Sequence, residues 1–182
     1  MKTVLASTVA AAALVSAASA DVTVTLTNQT WTGFNFSDLT AAYGGFTGTL
    51  TGASINVTLD ASTSFTYADD LCVYVDAAPL STGGLLQVGG FSNLSAAQRY
   101  SWPNGASSAV GTTSIGTVNF TTALSFSGTS ADATIWLGNG YGASGTSGTW
   151  TGSITLIGVD AVPAPGAIAL LGLAGLAGRR RR

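Results

Sequence analysis

The sequence predicts an all-β protein: an antiparallel β-sandwich, jelly-roll-like, flanked by an N-terminal signal helix and a C-terminal transmembrane helix. Three observations predict it. Apolar and polar residues alternate with a period of two in several short runs, the spacing that turns one face of a strand to a core and the other to water. The 182 residues include 26 Thr and 24 Gly and are only 8% charged, a composition that suits half-buried strands joined by tight turns. Between residues 21 and 160 no helical period persists over a useful length. An up-and-down barrel is the structural alternative.

The chain divides into residues 1–20, 21–160 and 161–182. In the first segment Lys2 supplies a positive start and Val4 to Val15 an apolar run, and Ala18-Ser19-Ala20 has the small-x-small pattern that signal peptidase requires. This order is that of a secretory signal cleaved after Ala20.

In the body, Val22, Val24 and Leu26 alternate with Thr23, Thr25 and Thr27, and Ile55, Val57 and Leu59 with Asn56, Thr58 and Asp60. Leu71, Val73 and Val75 alternate with Cys72, Tyr74 and Asp76, and Ile154 and Leu156 with Ser153 and Thr155. Each run is expected to be a strand with one face inward and the other in water. Weaker strands are expected near Phe46 to Leu50, Leu85 to Val88, Ser114 to Phe126 and Ala133 to Leu137. Gly44-Gly45, Ser81 to Gly84, Gly89-Gly90, Pro103 to Gly105 and Gly138 to Gly148 mark turns, and Ser92 to Arg99 has room for one or two helical turns.

The last segment reads Val162-Pro163-Ala164-Pro165-Gly166, then an uncharged stretch from Ala167 to Gly178, then Arg179, Arg180, Arg181 and Arg182. The prolines break any structure arriving from upstream. Counted from Val162, the 17 residues before the arginines would reach roughly 25 Å as a helix, a little short of a bilayer core of roughly 30 Å, a gap that mild thinning or arginine snorkelling would cover. The arginines would hold its end in the cytoplasm, with the body outside.

Pro163-Ala164-Pro165, a short apolar helix and a terminal Arg cluster resemble the PEP-CTERM protein-sorting segment of Gram-negative bacteria, with Pro-Ala-Pro in place of the usual Pro-Glu-Pro. The resemblance covers roughly the last 20 residues. It implies recognition by an exosortase, a membrane transpeptidase-like protease, with processing near the Pro-Ala-Pro and membrane contact through the helix beforehand. It also implies a destination at the cell surface, outer envelope or extracellular matrix of a Gram-negative-type bacterium, often linked to exopolysaccharide and biofilm.

Composition excludes several functions. The chain has no His and no Glu, so Ser-His-Asp and Cys-His catalysis and His-ligated zinc or copper are ruled out within it. Residues 21 to 162 hold eight acids and one base, Arg99, for a formal charge of −7. Nucleic acid would need a basic patch, and there is none. No pair of carboxyls is marked for glycoside hydrolysis. The expectation is a non-enzymatic protein with a structural or adhesive role, or a carbohydrate-binding module without catalysis.

Among candidate sites, Asp69 and Asp70 form the densest acid pair and stand just before a strong strand, where a loop would present both to Ca²⁺. No other cofactor is expected. Tyr100, Trp102 and Tyr141 lie in or near turns and are the aromatic residues placed to stack on a sugar. Trp31, Trp136 and Trp150 are expected in the core, and Cys72 as a single buried thiol. The Gly138-Asn139-Gly140-Tyr141-Gly142 loop is expected to use its glycines for positive φ.

Overall fold

The computed structural model describes residues 21–77 and 84–162. The secretory signal with Ala18 and Ala20, and the sorting segment from Pro163 to Arg182, lie outside the described residues. Nine strands are described: β1 (Val22–Thr32), β2 (Phe36–Asp38), β3 (Phe46–Thr63), β4 (Leu71–Asp76), β5 (Leu86–Val88), β6 (Gln98–Tyr100), β7 (Thr113–Ser127), β8 (Thr134–Asn139) and β9 (Ser147–Ala161). One short helix, α1 (Leu39–Tyr43), follows β2, and a single 3₁₀ turn (Ala68–Asp70) precedes β4.

The strands form two sheets, ordered β1-β9-β3-β7 and β2-β8-β4-β5-β6. Every pairing is antiparallel except the β5–β6 edge, which is parallel. The chain switches sheets at most connections, so neither sheet completes without the other. A single hydrophobic cluster joins their facing sides, with Val24, Ile55, Val57, Trp150 and Ile154 from the first sheet and Leu71, Val73, Val88 and Leu137 from the second. Burying these faces drives the two layers together.

The first sheet follows its sequence pattern closely. Val22, Val24 and Leu26 are buried while Thr23, Thr25 and Thr27 are exposed. Its long strands change parity at bulges. The register shift between Leu26 and Gln29, with Asn28 at φ 48°, brings Trp31 onto the core side although it lies five residues beyond Leu26. The shift between Leu50 and Gly52 does the same for Ala53 after Leu50. The predicted runs at Phe46 and Ile55 are therefore one 18-residue strand.

The second sheet departs from expectation. Tyr74, expected on a wet face, is fully buried; so is Cys72, the expected single buried thiol, and all of Leu71 to Val75 is hidden on both sides. A second cluster of Cys72, Tyr74 and Leu94, bordered by Phe36, Ala96 and Trp136, covers the outer face. The cover is the segment after β5, and buried Gln87 fastens it. Gln87 Nε2 donates to the carbonyls of Gly89 (3.0 Å) and Ser92 (2.8 Å), and its Oε1 accepts from Leu94 N–H (2.9 Å). This packing also replaces the helical turns expected over Ser92 to Arg99 with irregular chain leading into β6.

Candidate functional site

Three connections meet at one end of the sandwich: β3 to β4, β5 to β6, and β8 to β9. Backbone hydrogen bonds tie them together. Gly90 N–H donates to the Asp69 carbonyl (3.0 Å), Gly140 N–H to the Asp70 carbonyl (2.8 Å), and Ser92 N–H to the Gly140 carbonyl (3.0 Å). Gly90 and Gly140 pass so closely that a Cβ on Gly140 would lie 2.6 Å from the Gly90 Cα. The glycines of the Gly138 to Gly142 stretch thus serve close approach, and none of the three has positive φ. Gly138 and Asn139 belong to β8 itself.

Asp70 is the hub. It is 3% exposed, and its Oδ2 accepts from Tyr67 N–H (2.7 Å) while Oδ1 accepts from Phe91 N–H (2.9 Å). One carboxylate therefore joins two connections through a pair of charge-assisted bonds. Desolvation raises its pKa to about 6, reinforced by the neighbouring charge of Asp69 and opposed by the two amides. Asp69, half-buried beside it, is also raised by desolvation. Among the described residues no three His, Cys, Asp or Glu side chains converge on a point that would hold a metal ion.

Around Asp70 stand aromatic rings. Phe65, Tyr67, Phe91 and Tyr141 line a cleft of about 170 Å³ with Asp70 as the fifth residue. Phe65 is 75% exposed and Phe91 73% exposed, unusual for the most apolar aromatic side chain. Phe91 and Tyr141 meet edge to face with centroids 5.5 Å apart. Next to Tyr141, the ring of Phe34 lies over Gly142, where a Cβ would collide with it. A second groove, of about 370 Å³, runs on past Tyr67 and Phe91 to Asp69, Arg99 and Ser101.

The turn that presents Phe65 is strained. Ser64 and Phe65 have φ of 50° and 62°, and Thr66 N–H donates to the Thr63 carbonyl (3.2 Å). Positive φ at both central residues is the mark of a type I′ turn, where Asn-Gly is the comfortable pair. A Phe in that position costs on the order of 1 kcal/mol or more. The turn is braced by Ser62 Oγ donating to the Thr66 carbonyl (2.6 Å) and Thr66 Oγ1 donating to that of Thr63 (2.9 Å).

Of the three aromatic residues expected to touch a ligand, only Tyr141 reaches the aromatic cleft. Trp102 is 4% exposed, and its Nε1 donates to the Leu71 carbonyl (2.7 Å), so it is a core residue whose edge borders the second groove. Tyr100 stands apart on the β6 edge. Its hydroxyl bonds to Gln98 Oε1 (3.0 Å) and Thr121 Oγ1 (2.9 Å), and its ring packs on Phe120. Trp31 and Trp150 are buried in the core, with centroids 6.0 Å apart. Trp136 instead lies half-buried on the covered outer face of the second sheet. Phe65 and Phe91 were not among the expected contacts. The signal was their setting: a Phe amid turn residues, as in Ser64-Phe65-Thr66 and Gly89-Gly90-Phe91, has no strand face to bury it.

The described body begins and ends at the other end of the sandwich. Asp21 Oδ1 accepts from Gly158 N–H (2.9 Å), and Val162 N–H donates to the Gly45 carbonyl (3.0 Å). Gly45 stands just before β3, and the Phe65 turn stands just after it. In comparisons with known proteins, no family model, curated protein or solved structure matches this chain.

Proposed function

We propose that this chain is an exported, non-enzymatic protein of the cell surface or extracellular matrix, with a structural or adhesive role. In this reading signal peptidase removes residues 1–20, and an exosortase-type enzyme processes the segment around Val162, Pro163, Ala164, Pro165 and Gly166 ahead of Arg179 to Arg182. One observation carries it. Both ends of the described body leave from one end of the sandwich, and the aromatic cleft occupies the other, with β3 running between them. A body held by its C-terminal end presents that cleft outward. The absence of His and Glu from the whole sequence supports a role without catalysis.

The sandwich is a jelly roll in this reading. The order β1-β9-β3-β7 opposite β2-β8-β4-β5 is the arrangement of two interlocked Greek keys, and β6 is an added parallel edge. The alternative function, a carbohydrate-binding module able to hold exopolysaccharide, draws on the exposed rings of Phe65 and Phe91.

The test is mass spectrometry of the mature protein from its native host, together with cell fractionation. The expected product begins at Asp21, is trimmed near Pro163 to Pro165, and fractionates with the envelope or the extracellular material. A cytosolic product retaining residues 1–20 overturns the proposal. Depletion over an insoluble polysaccharide, lost in Phe65→Ala, would select the carbohydrate-binding alternative.

A further inference from the structure

The five residues lining the aromatic cleft are four rings and one carboxylate, and their chemistry is more selective than that of a general sugar platform. A sugar is recognised by ring stacking together with several directional hydrogen bonds to its hydroxyls. Here each oxygen of Asp70 already accepts a backbone amide, from Tyr67 and from Phe91. The carboxylate therefore offers the cleft negative charge more than open acceptor positions. The one basic residue of the body, Arg99, directs its Nη2 to the carbonyls of Phe91 (2.9 Å) and Gly90 (3.4 Å). The body around the cleft carries eight acids against that single base. Four aromatic rings, whose π faces carry negative quadrupole charge, a desolvated carboxylate and a net negative surface all favour a cation, above all one with no hydrogen-bond donors to satisfy. The size agrees: at about 170 Å³ the cleft is smaller than the roughly 300–1,000 Å³ typical of drug-sized ligands, and it suits a single head group.

We infer that the cleft is an aromatic cage for a quaternary ammonium group, with Phe65, Tyr67, Phe91 and Tyr141 as its walls and Asp70 as the counter-charge. Tight backbone bonds among the three connections hold the walls in place before the ligand arrives, so little ordering cost falls on binding. The strained Phe65 turn gains a reason, because a relaxed Asn-Gly turn would remove a wall. The cage stands independently of export and of any sorting enzyme.

The experiment is titration of the purified full-length protein with choline, with its neutral isostere 3,3-dimethylbutan-1-ol, and with glucose. Choline is expected to saturate with a Kd on the order of 1 mM, and the isostere to bind at least about tenfold more weakly, because it fills the same space without charge. Phe65→Ala removes an exposed ring from a surface turn and is expected to weaken choline about tenfold with the melting temperature held or raised. Asp70→Asn is expected to weaken it further, and Phe65→Ala still decides the matter if the Asn variant folds poorly. Co-sedimentation with phosphatidylcholine vesicles would place the cation on a lipid head group. Choline binding without co-sedimentation would place it on a soluble solute, and both results support the cage. Equal affinity for choline and its isostere, saturation by glucose but not choline, or unchanged choline affinity in Phe65→Ala would each overturn it.

Discussion

On β3, Asn56 is exposed between the buried Ile55 and Val57; on β4, the corresponding alternate residues Cys72 and Tyr74 are as buried as Leu71 and Val73. The first sheet ends at its own outer surface, a lawn of hydroxyls in which Thr23 pairs with Thr155 (2.9 Å) and Thr30 with Thr149 (2.7 Å). The second sheet has shorter strands and continues outward into another apolar layer, held by Gln87. Short strands have few ladder bonds, and burial on both faces supplies what those bonds do not. The difference also sets where recognition can be built. The cover over the second sheet ends in the Phe91 connection, so the same packing that hides Tyr74 helps position the cleft.

The comparison can be broken most directly by cutting one side chain from each sheet's outer face. Tyr74→Ala removes a fully buried ring whose hydroxyl donates to the Leu94 carbonyl (3.4 Å), and it is expected to cost about 3–5 kcal/mol in urea unfolding. Thr23→Ala, on the wet face of the first sheet, is expected to stay within about 0.5 kcal/mol. Equal losses would show that the two outer faces are energetically alike.

A smaller effect comes from the junction between sheet and cleft. Burial pushes the pKa of Asp70 up to about 6 in the fold, against 3.8 for a freely solvated aspartate. The folded state therefore holds its proton where the unfolded chain has lost it, and stability falls as pH rises between these values and levels off above about 6. The expected loss is on the order of 2 kcal/mol after allowance for solvent at the cleft mouth. Urea midpoints at pH 4.5 and pH 7 measure it, and Asp69 adds in the same direction. A flat profile in that window would mean that Asp70 is not desolvated as described.

The smallest effect is a gain. Replacing Ser64-Phe65 by Asn-Gly puts the preferred residues into a turn with positive φ at both positions, and is expected to stabilise the fold by about 1 kcal/mol. A rise in melting temperature accompanied by loss of cleft binding would show strain retained for recognition. A fall would show that the exposed ring contributes to folding.

Legibility in the sequence follows the same division between the sheets. Where one face meets water, as in Val22 to Thr27 or Ile55 to Thr58, period two is visible and the strand can be read directly. The bulges that join Phe46 to Thr63 into one strand interrupt that period, so its two halves read as separate elements. On β4 the alternation of Leu71, Val73 and Val75 is real, but nothing local reveals that Gln87 and Leu94 will cover Cys72 and Tyr74. Of the cleft, Asp70 and Tyr141 were legible as polar or aromatic residues near turns. Trp102 misled because its turn-rich neighbours Pro103 and Asn104 do not disclose that the indole N–H points to the Leu71 carbonyl. Phe65 and Phe91 come together only when three distant connections close.

Cys72 lies beneath that closure. Its thiol is fully buried, its pKa is pushed up by desolvation, and a Cβ on Gly140 would lie 2.8 Å from its own. A sulfur held so protonated and so deep is inert toward alkylating reagents while the layers above it remain shut. Its labelling rate is consequently a built-in clock for breathing of the second sheet, read by mass as one added label per chain, with no side chain replaced.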